Sequence, residues 1–251
     1  MLFRQLTFAI ITAILTEKVM GMEKLLRTLQ KNLLFRQLPV SVLREEILPR
    51  GQVQQLSRGQ PLIAPQQKVD RLAIVLSGRV HIQHLFPNGT YSLLSVLEPS
   101  EVLGADLVCT QSRIAPYHAA AAEPTVLFLL PADLFLRPGT LDEPERLQVL
   151  EELLHLVANE NMKKTYRLAI LSQKGLRERI LTFLTMQAGK RRTNTFSIAF
   201  SREDLASFLC VNRSALSHEL SRMQQEGLIV FHKNQFTLLR DSLPPHSEVT
   251  P

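Results

Sequence analysis

From Glu23 to about Ile47 the apolar residues Leu25, Leu26, Leu29, Leu33 and Leu34 recur every three or four positions, and Pro39 divides the segment. That spacing gathers side chains on one helical face. The period then shortens. Between Gln52 and Leu130 short apolar runs end at turn residues: Leu72 to Leu76 before Ser77-Gly78, Val80 to Phe86 before Pro87-Asn88-Gly89, Tyr91 to Leu97 before Glu98-Pro99-Ser100, and Val126 to Leu130 before Pro131. Several short strands at this spacing predict an all-β barrel or sandwich. Asn88-Gly89 predicts a two-residue hairpin turn, because both residues tolerate the positive φ that such a turn needs.

A helix of several turns is predicted from about Glu145 to Ser172, since between Pro144 and Gln187 there is no proline and only Gly175 as a glycine. Leu147, Leu150, Leu154, Val157, Asn161, Lys164, Leu168 and Leu171 alternate by three and four, the seam of a coiled coil, with Asn161 and Lys164 as polar interruptions. A helix packed on its own barrel would also use an apolar stripe. Gly175, with its wide choice of backbone angles, is the expected hinge between this helix and the C-terminal third of the chain.

Ser201 with Asp204 reads as a capping box, Leu205, Ala206 and Leu209 as one apolar stripe, and Cys210-Val211-Asn212 as a tight turn. Asn212 is a good N-cap for a second helix, whose Ala215, Leu216, Leu220 and Met223 face inward and which Gly227 ends. Its other face carries Arg213, Ser214, Ser217, His218, Ser221 and Arg222. Short hydroxyls allow close approach to a major groove, and Arg can fork onto guanine. Next comes a hairpin with Lys233 at its tip, and with Ser201 and Arg202 these residues form the candidate DNA-binding set. The pattern is that of a helix-turn-helix with a wing; a structural helical hairpin with a solvated basic face is the bland alternative.

Charge supports the first reading. The chain carries +6 in 251 residues, but from Glu160 to Arg240 there are 14 Lys/Arg against 6 Asp/Glu, while the remainder is slightly acidic. A basic third joined to a near-neutral body points to a polyanion, duplex DNA first and a membrane surface second. Two distant cysteines, Cys109 and Cys210, supply neither a disulfide framework nor a cysteine-rich metal site, so a reducing cytoplasm is the expected compartment. His81 and His84 have opposite parity in one strand and cannot share a metal there without a bulge. No phosphate loop, paired-carboxylate site or nucleophile motif is apparent, so no enzyme and no metal are predicted. The apolar run Leu6 to Leu15 is too short to span a bilayer; residues 1–21 are either an N-terminal extension or precede a start at Met20 or Met22.

The glycine-punctuated β region, with Leu-Ser-Gly-Arg-Val at Leu76 to Val80 and Gly104, the long helix, the Arg-Glu-Arg-Ile start at Arg177 to Ile180, and Ser201 to Ile229 together resemble the Crp/Fnr family of bacterial transcription regulators. The resemblance implies an α+β chain: a jelly-roll, cyclic-nucleotide-binding-like effector domain with N-terminal helices at 22–140, a dimerisation helix at 141–173 and a winged helix-turn-helix at 174–242, then a tail at 243–251. It implies a homodimer on a two-fold symmetric operator in double-stranded DNA, RNA polymerase as a partner, a small-molecule effector and no membrane. The alternative function is a ligand-binding module without specific operator binding.

The sequence departs from the family in two places. Gly104-Ala105-Asp106 replaces the Gly-Glu-Leu motif of the cyclic-AMP-binding branch, and Ala115-Pro116-Tyr117-His118 stands near its Arg-Ser pair. An aspartate cannot supply the positive charge a phosphate needs, so cyclic-nucleotide binding is not expected, and the cofactor and effector are left unassigned. Gly104, Asp106, Tyr117, His118 and Thr165 are the candidate effector pocket, with His118 also a candidate haem ligand. Family members that read a TGA-type core place Glu where Ser214 stands and Arg where His218 stands, so the half-site is open.

Overall fold

The structure, a computed structural model, describes residues 21–23, 25–86 and 91–239. The expectations for residues 1–20, for the Asn88-Gly89 turn and for the 243–251 tail lie outside it. An N-terminal helix α1 (residues 25–30) ends at Asn32, whose buried side chain accepts from Leu34 N and donates to the Ser100 carbonyl. Pro39 starts the second helical piece, α2 (Val40–Val42), which continues through a wide turn, Leu43–Ile47, and a tight one, Leu48–Arg50.

Two four-stranded antiparallel sheets come next: β1 (Gln52–Leu56), β8 (Thr125–Pro131), β3 (Arg71–Ser77) and β6 (Val102–Leu103) in one, and β2 (Pro61–Ile63), β7 (His118–Ala121), β4 (Val80–Leu85) and β5 (Tyr91–Leu97) in the other. Short helices α3 (Ala105–Val108) and α4 (Asp133–Leu136) cap this jelly roll. Apolar residues of both sheets, including Ile74, Val75, Val80, Leu127 and Phe128, form one core with Leu29 of α1 and Phe35 of the turn that follows it. The paired ends of β4 and β5 are Leu85 and Tyr91. The pairing slips between Ile82 and Gln83, but the extra residue is Leu94 of β5, so β4 itself stays regular and the opposite parity of His81 and His84 stands. His81 faces the C-terminal unit and His84 stacks edge-on against Phe86, and no metal-holding group occurs among the described residues.

Helix α5 (Glu143–Leu171) runs nearly where the sequence places it and joins two cores. Val149 and Leu153 belong to the jelly-roll core, and Ile170 to the C-terminal one. Buried Glu152 on this helix receives Arg36 Nε at 2.9 Å and Gln37 Nε2 at 2.7 Å, so a charge taken from water is met by donors of the N-terminal segment. The predicted seam divides: Leu150 and Val157 pack against the jelly-roll core, as the barrel-packed alternative expects, whereas Leu147, Leu154 and Leu168 are 54, 67 and 70% exposed. No helix among the described residues is long and apolar enough to cross a membrane.

Helix α6 (Leu176–Arg191), β9 (Thr195–Ser197), α7 (Arg202–Phe208), α8 (Arg213–Gln225), β10 (Ile229–His232) and β11 (Gln235–Leu238) make the C-terminal unit, with a three-stranded sheet ordered β10-β11-β9. Gly175 corrects one expectation. It caps α6 at φ −101° and ψ 159°, extended angles open to any residue, so the junction does not depend on glycine's special conformations.

The two units touch through named groups. Arg79 holds Glu123 with two hydrogen bonds, at 3.0 and 3.1 Å, and donates to the Ala199 carbonyl at 3.0 Å. Leu93 N donates to Ser207 Oγ at 2.8 Å, and Arg167 of α5 donates to Ser92 Oγ at 3.2 Å while lying over the Phe208 ring. His81 Nε2 approaches Asp204 Oδ1 to 3.6 Å.

This packing generates two predictions. Gly78 has φ +81°, and an added Cβ would lie 2.5 Å from the Pro124 carbonyl oxygen, so Gly78→Ala is expected to lower jelly-roll stability, read from the urea midpoint. Strain and clash of this kind cost about 2 kcal/mol. The second concerns pH. Burial lowers the His81 pKa from 6.5, with Arg79 and Arg58 pushing the same way and Asp204 and Glu123 opposing. Proton binding therefore favours the unfolded form: the contribution of His81 to stability is full above pH 6.5 and is lost as pH falls through the depressed value. Amide exchange at Leu93 should speed up over that window, and His81→Asn should flatten the dependence.

Candidate nucleic-acid interface

The reading element is built from the inside out. Leu205, Ala206 and Leu209 of α7 and Leu216, Leu220 and Met223 of α8 are buried in one core with Phe183, Leu184 and Ile229. Ser201 Oγ accepts from Asp204 N at 3.1 Å while Ser201 N donates to Asp204 Oδ2, the reciprocal cap predicted. Between the helices Cys210 adopts φ +58°, and Asn212 caps α8 by accepting from Ala215 N at 2.7 Å. Gly227, at φ +74°, closes the helix as read from the sequence, with Leu228 N returning to the Met223 carbonyl.

With one face of α8 fixed in the core, the rest is dictated by geometry. Arg213, Ser214 and His218 are exposed on its first turns and Ser217 is half-buried beside them. Among the described residues Arg213 takes no ion-pair partner. Ser214 Oγ donates to Asn212 Oδ1 at 2.8 Å, and Ser221 Oγ donates to the Ser217 carbonyl at 3.0 Å, so Ser221 is turned back on its own helix. Arg222 lies toward the C-terminal end, 3.6 Å from Glu226 and 4.0 Å from Glu219. The groups free to meet a groove are therefore concentrated at the N-terminal half, and the predicted set divides accordingly.

The acids of α8 and its cap are drawn to the other side. Arg177, at the start of α6, binds Glu219 at 2.6 Å through Nε and Glu226 at 2.6 and 3.0 Å through its terminal nitrogens. The guanidinium beside them holds the Glu226 carboxyl below its ordinary range. The Arg-Glu-Arg-Ile stretch was visible in the sequence, but nothing in its spacing showed that its first Arg would tie down the recognition helix.

The wing joins β10 to β11 through Lys233 and Asn234, with Lys233 exposed and at φ +54°. Arg202, placed by sequence in the DNA-binding set, is half-buried and turned inward: its Nη2 donates to the Lys233 carbonyl at 3.0 Å. Sequence reasoning missed this because the two residues are 31 apart and no local pattern links them.

The candidate effector residues come only partly together. Asp106 accepts from Tyr117 OH at 3.3 Å and from Lys164 Nζ at 3.1 Å, and Gly104, at φ +91°, caps the helix that carries it. Burial pushes the Tyr117 phenol pKa up, and Asp106 adds to the shift. Lys164, read as a seam interruption, thus reaches back to the jelly roll. Thr165 is exposed and bonds to the Asn161 carbonyl of its own helix, and His118 is half-buried with Nδ1 unpartnered. Neither joins the Asp106 group. An acid already neutralised by Lys164, with no arginine in the cluster, does not fit the phosphate of a cyclic nucleotide.

Comparison with known proteins assigns both units. Residues 53–137 match the cyclic nucleotide-binding domain family, and residues 178–241 match the Crp-like helix-turn-helix domain family. The global nitrogen regulator of Synechococcus elongatus is 22% identical over 193 residues, 74% of this chain and 85% of that protein. The transcriptional activator protein anr of Pseudomonas aeruginosa is 28% identical over 190 residues, 74% of this chain and 75% of that one. Among solved structures, FixK2 from Bradyrhizobium japonicum superposes with a TM-score of 0.60 at 19% identity, covering 75% of this chain and 92% of that chain. The c-di-GMP responsive global regulator CLP of Xanthomonas campestris gives a TM-score of 0.61 at 16% identity, covering 77 and 96%.

Proposed function

Because the chain belongs to the Crp/Fnr family of DNA-binding transcription regulators, we propose that it works in the cytoplasm as a homodimer that reads a two-fold symmetric operator, under control of a small molecule sensed by the jelly roll, and with RNA polymerase as its partner. The observation that carries the reading is the first half of α8, where Arg213, Ser214, Ser217 and His218 stand on a helix whose other face is locked in the core. Short hydroxyls at Ser214 and Ser217 let the backbone approach the groove, Arg213 can fork onto guanine, and Lys233 reaches a phosphate from the wing. Ser201 stands at the start of α7, where its neighbouring backbone amides are spent on the cap.

Dimerisation is supported by Leu147, Leu154 and Leu168, which fall on one seven-residue repeat and are exposed in the single chain. Pairing two such helices would set the two reading helices about 34 Å apart, one turn of duplex. Asp106 tied to Lys164 and Tyr117 supports an effector other than a cyclic nucleotide.

The test is binding to a random-sequence duplex as a function of KCl. The affinity should fall steeply with salt; Lys233→Ala should reduce the slope by about 1.8 per dimer, one phosphate contact of about 0.9 from each protomer, and Arg213→Ala should weaken binding chiefly by loss of its base contact. A duplex affinity unchanged in the double variant would remove the DNA-binding role from this face. For the seam, sedimentation at micromolar concentration should give a dimer, and Leu154→Lys should give a monomer with the same unfolding midpoint for the jelly roll. A monomeric wild type would refute the helix pairing.

A further inference from the structure

The wing of this protein has a tip that its own sequence does not favour. Lys233 adopts φ +54° in the connection between paired His232 and Gln235, a left-handed conformation that a long side chain takes at some cost. Asn234 is held from one side, where it donates to the Ile198 carbonyl at 3.1 Å and its own carbonyl accepts from Ile198 N at 3.0 Å. Lys233 is held from the other by Arg202, whose Nη2 donates to its carbonyl at 3.0 Å.

Arg202 is itself fixed by the two aromatic residues of the wing. Its guanidinium carbon lies 4.9 Å from the Phe231 ring centre and 5.8 Å from that of Phe236. Phe231 and Phe236 are a cross-strand pair, stacked at 6.0 Å with an interplanar angle of 23°. A planar cation can lie against such rings while a terminal nitrogen still points to a carbonyl; a lysine ammonium can do one or the other. Arg202 opens α7, so the contact also ties the first helix of the reading unit to the wing.

We propose that Arg202 is a positioning residue, which acts on DNA by holding Lys233 in the conformation that presents its ammonium to a phosphate and makes no phosphate contact of its own. The proposal rests on the DNA-binding reading above. It separates residues that the sequence grouped together, since Arg202 and Lys233 then contribute one phosphate contact between them rather than two.

The experiment is the KCl dependence of binding of the full chain to a random duplex of about 30 base pairs, with Arg202→Lys, Phe231→Leu, Lys233→Met and the Arg202→Lys/Lys233→Met pair. An internal brace predicts that Arg202→Lys, which keeps the charge, lowers the slope by about 1.8 per dimer, one contact of about 0.9 from each protomer, as Lys233→Met does, and that the pair lowers it no further. Phe231→Leu removes no charge and is expected to reduce the slope in the same direction, with faster amide exchange at Asn234 in the DNA-free protein. The proposal is overturned if Arg202→Lys binds as the wild type does, or if the pair lowers the slope by about 3.6 per dimer, which would give Arg202 a phosphate of its own. A thermal melt of each variant accompanies the titrations, and Phe231→Leu decides the matter if Arg202→Lys does not fold. Failure of the wild type itself to bind duplex DNA would instead refute the parent reading.

Discussion

One helix has to satisfy two cores at once. The 29 residues of α5 span about 44 Å, and its ends are buried in different units, at Val149 and Leu153 in the jelly roll and at Ile170 in the C-terminal core. Everything else on the helix is arranged around that requirement. The side facing the jelly roll carries apolar residues, buried Glu152 with its donors, and Lys163 and Lys164, which reach acids on the roll. The other side keeps leucines on a seven-residue spacing, exposed along the helix. A rotation of the helix that hid those leucines would pull Val149 and Ile170 out of their cores, so the exposed stripe is enforced by the burial at both ends.

The periodicity changes made most of this architecture legible. Short strands with turn residues, the long proline-free stretch, the Ser201 and Asn212 caps and the Gly227 stop all depend on neighbours within four residues, and all appear where the pattern puts them. What was not legible depends on partners far away in sequence. Arg202 looks like any exposed basic residue until the wing folds over it, and Arg177 looks like a helix start until α8 brings Glu219 and Glu226 beside it. Gly175 illustrates the opposite error: a glycine at a junction suggests special angles, but this one uses ordinary ones. The effector residues were the least legible, because Lys164 comes to Asp106 across two elements and Thr165, one position on, turns to its own backbone.

Electrostatics divides the C-terminal unit in the same spirit. Its excess of positive charge is not spread evenly, since Glu219 and Glu226 are gathered on Arg177 and Arg222 behind the reading turns. Arg213 and Lys233 have no acidic ion-pair partner among the described residues. A polyanion approaching this unit meets cations first and the compensated acids last.

Helix α8 is held by Leu216, Leu220 and Met223 in the core, by Asn212 at its start and by Arg177 behind it, and none of these residues belongs to the reading turns. Arg213, Ser214 and His218 are exposed and take no part in the core. Exchanges at these three positions therefore leave the scaffold intact, so under the proposed reading the DNA sequence preferred can change while the fold that presents it does not.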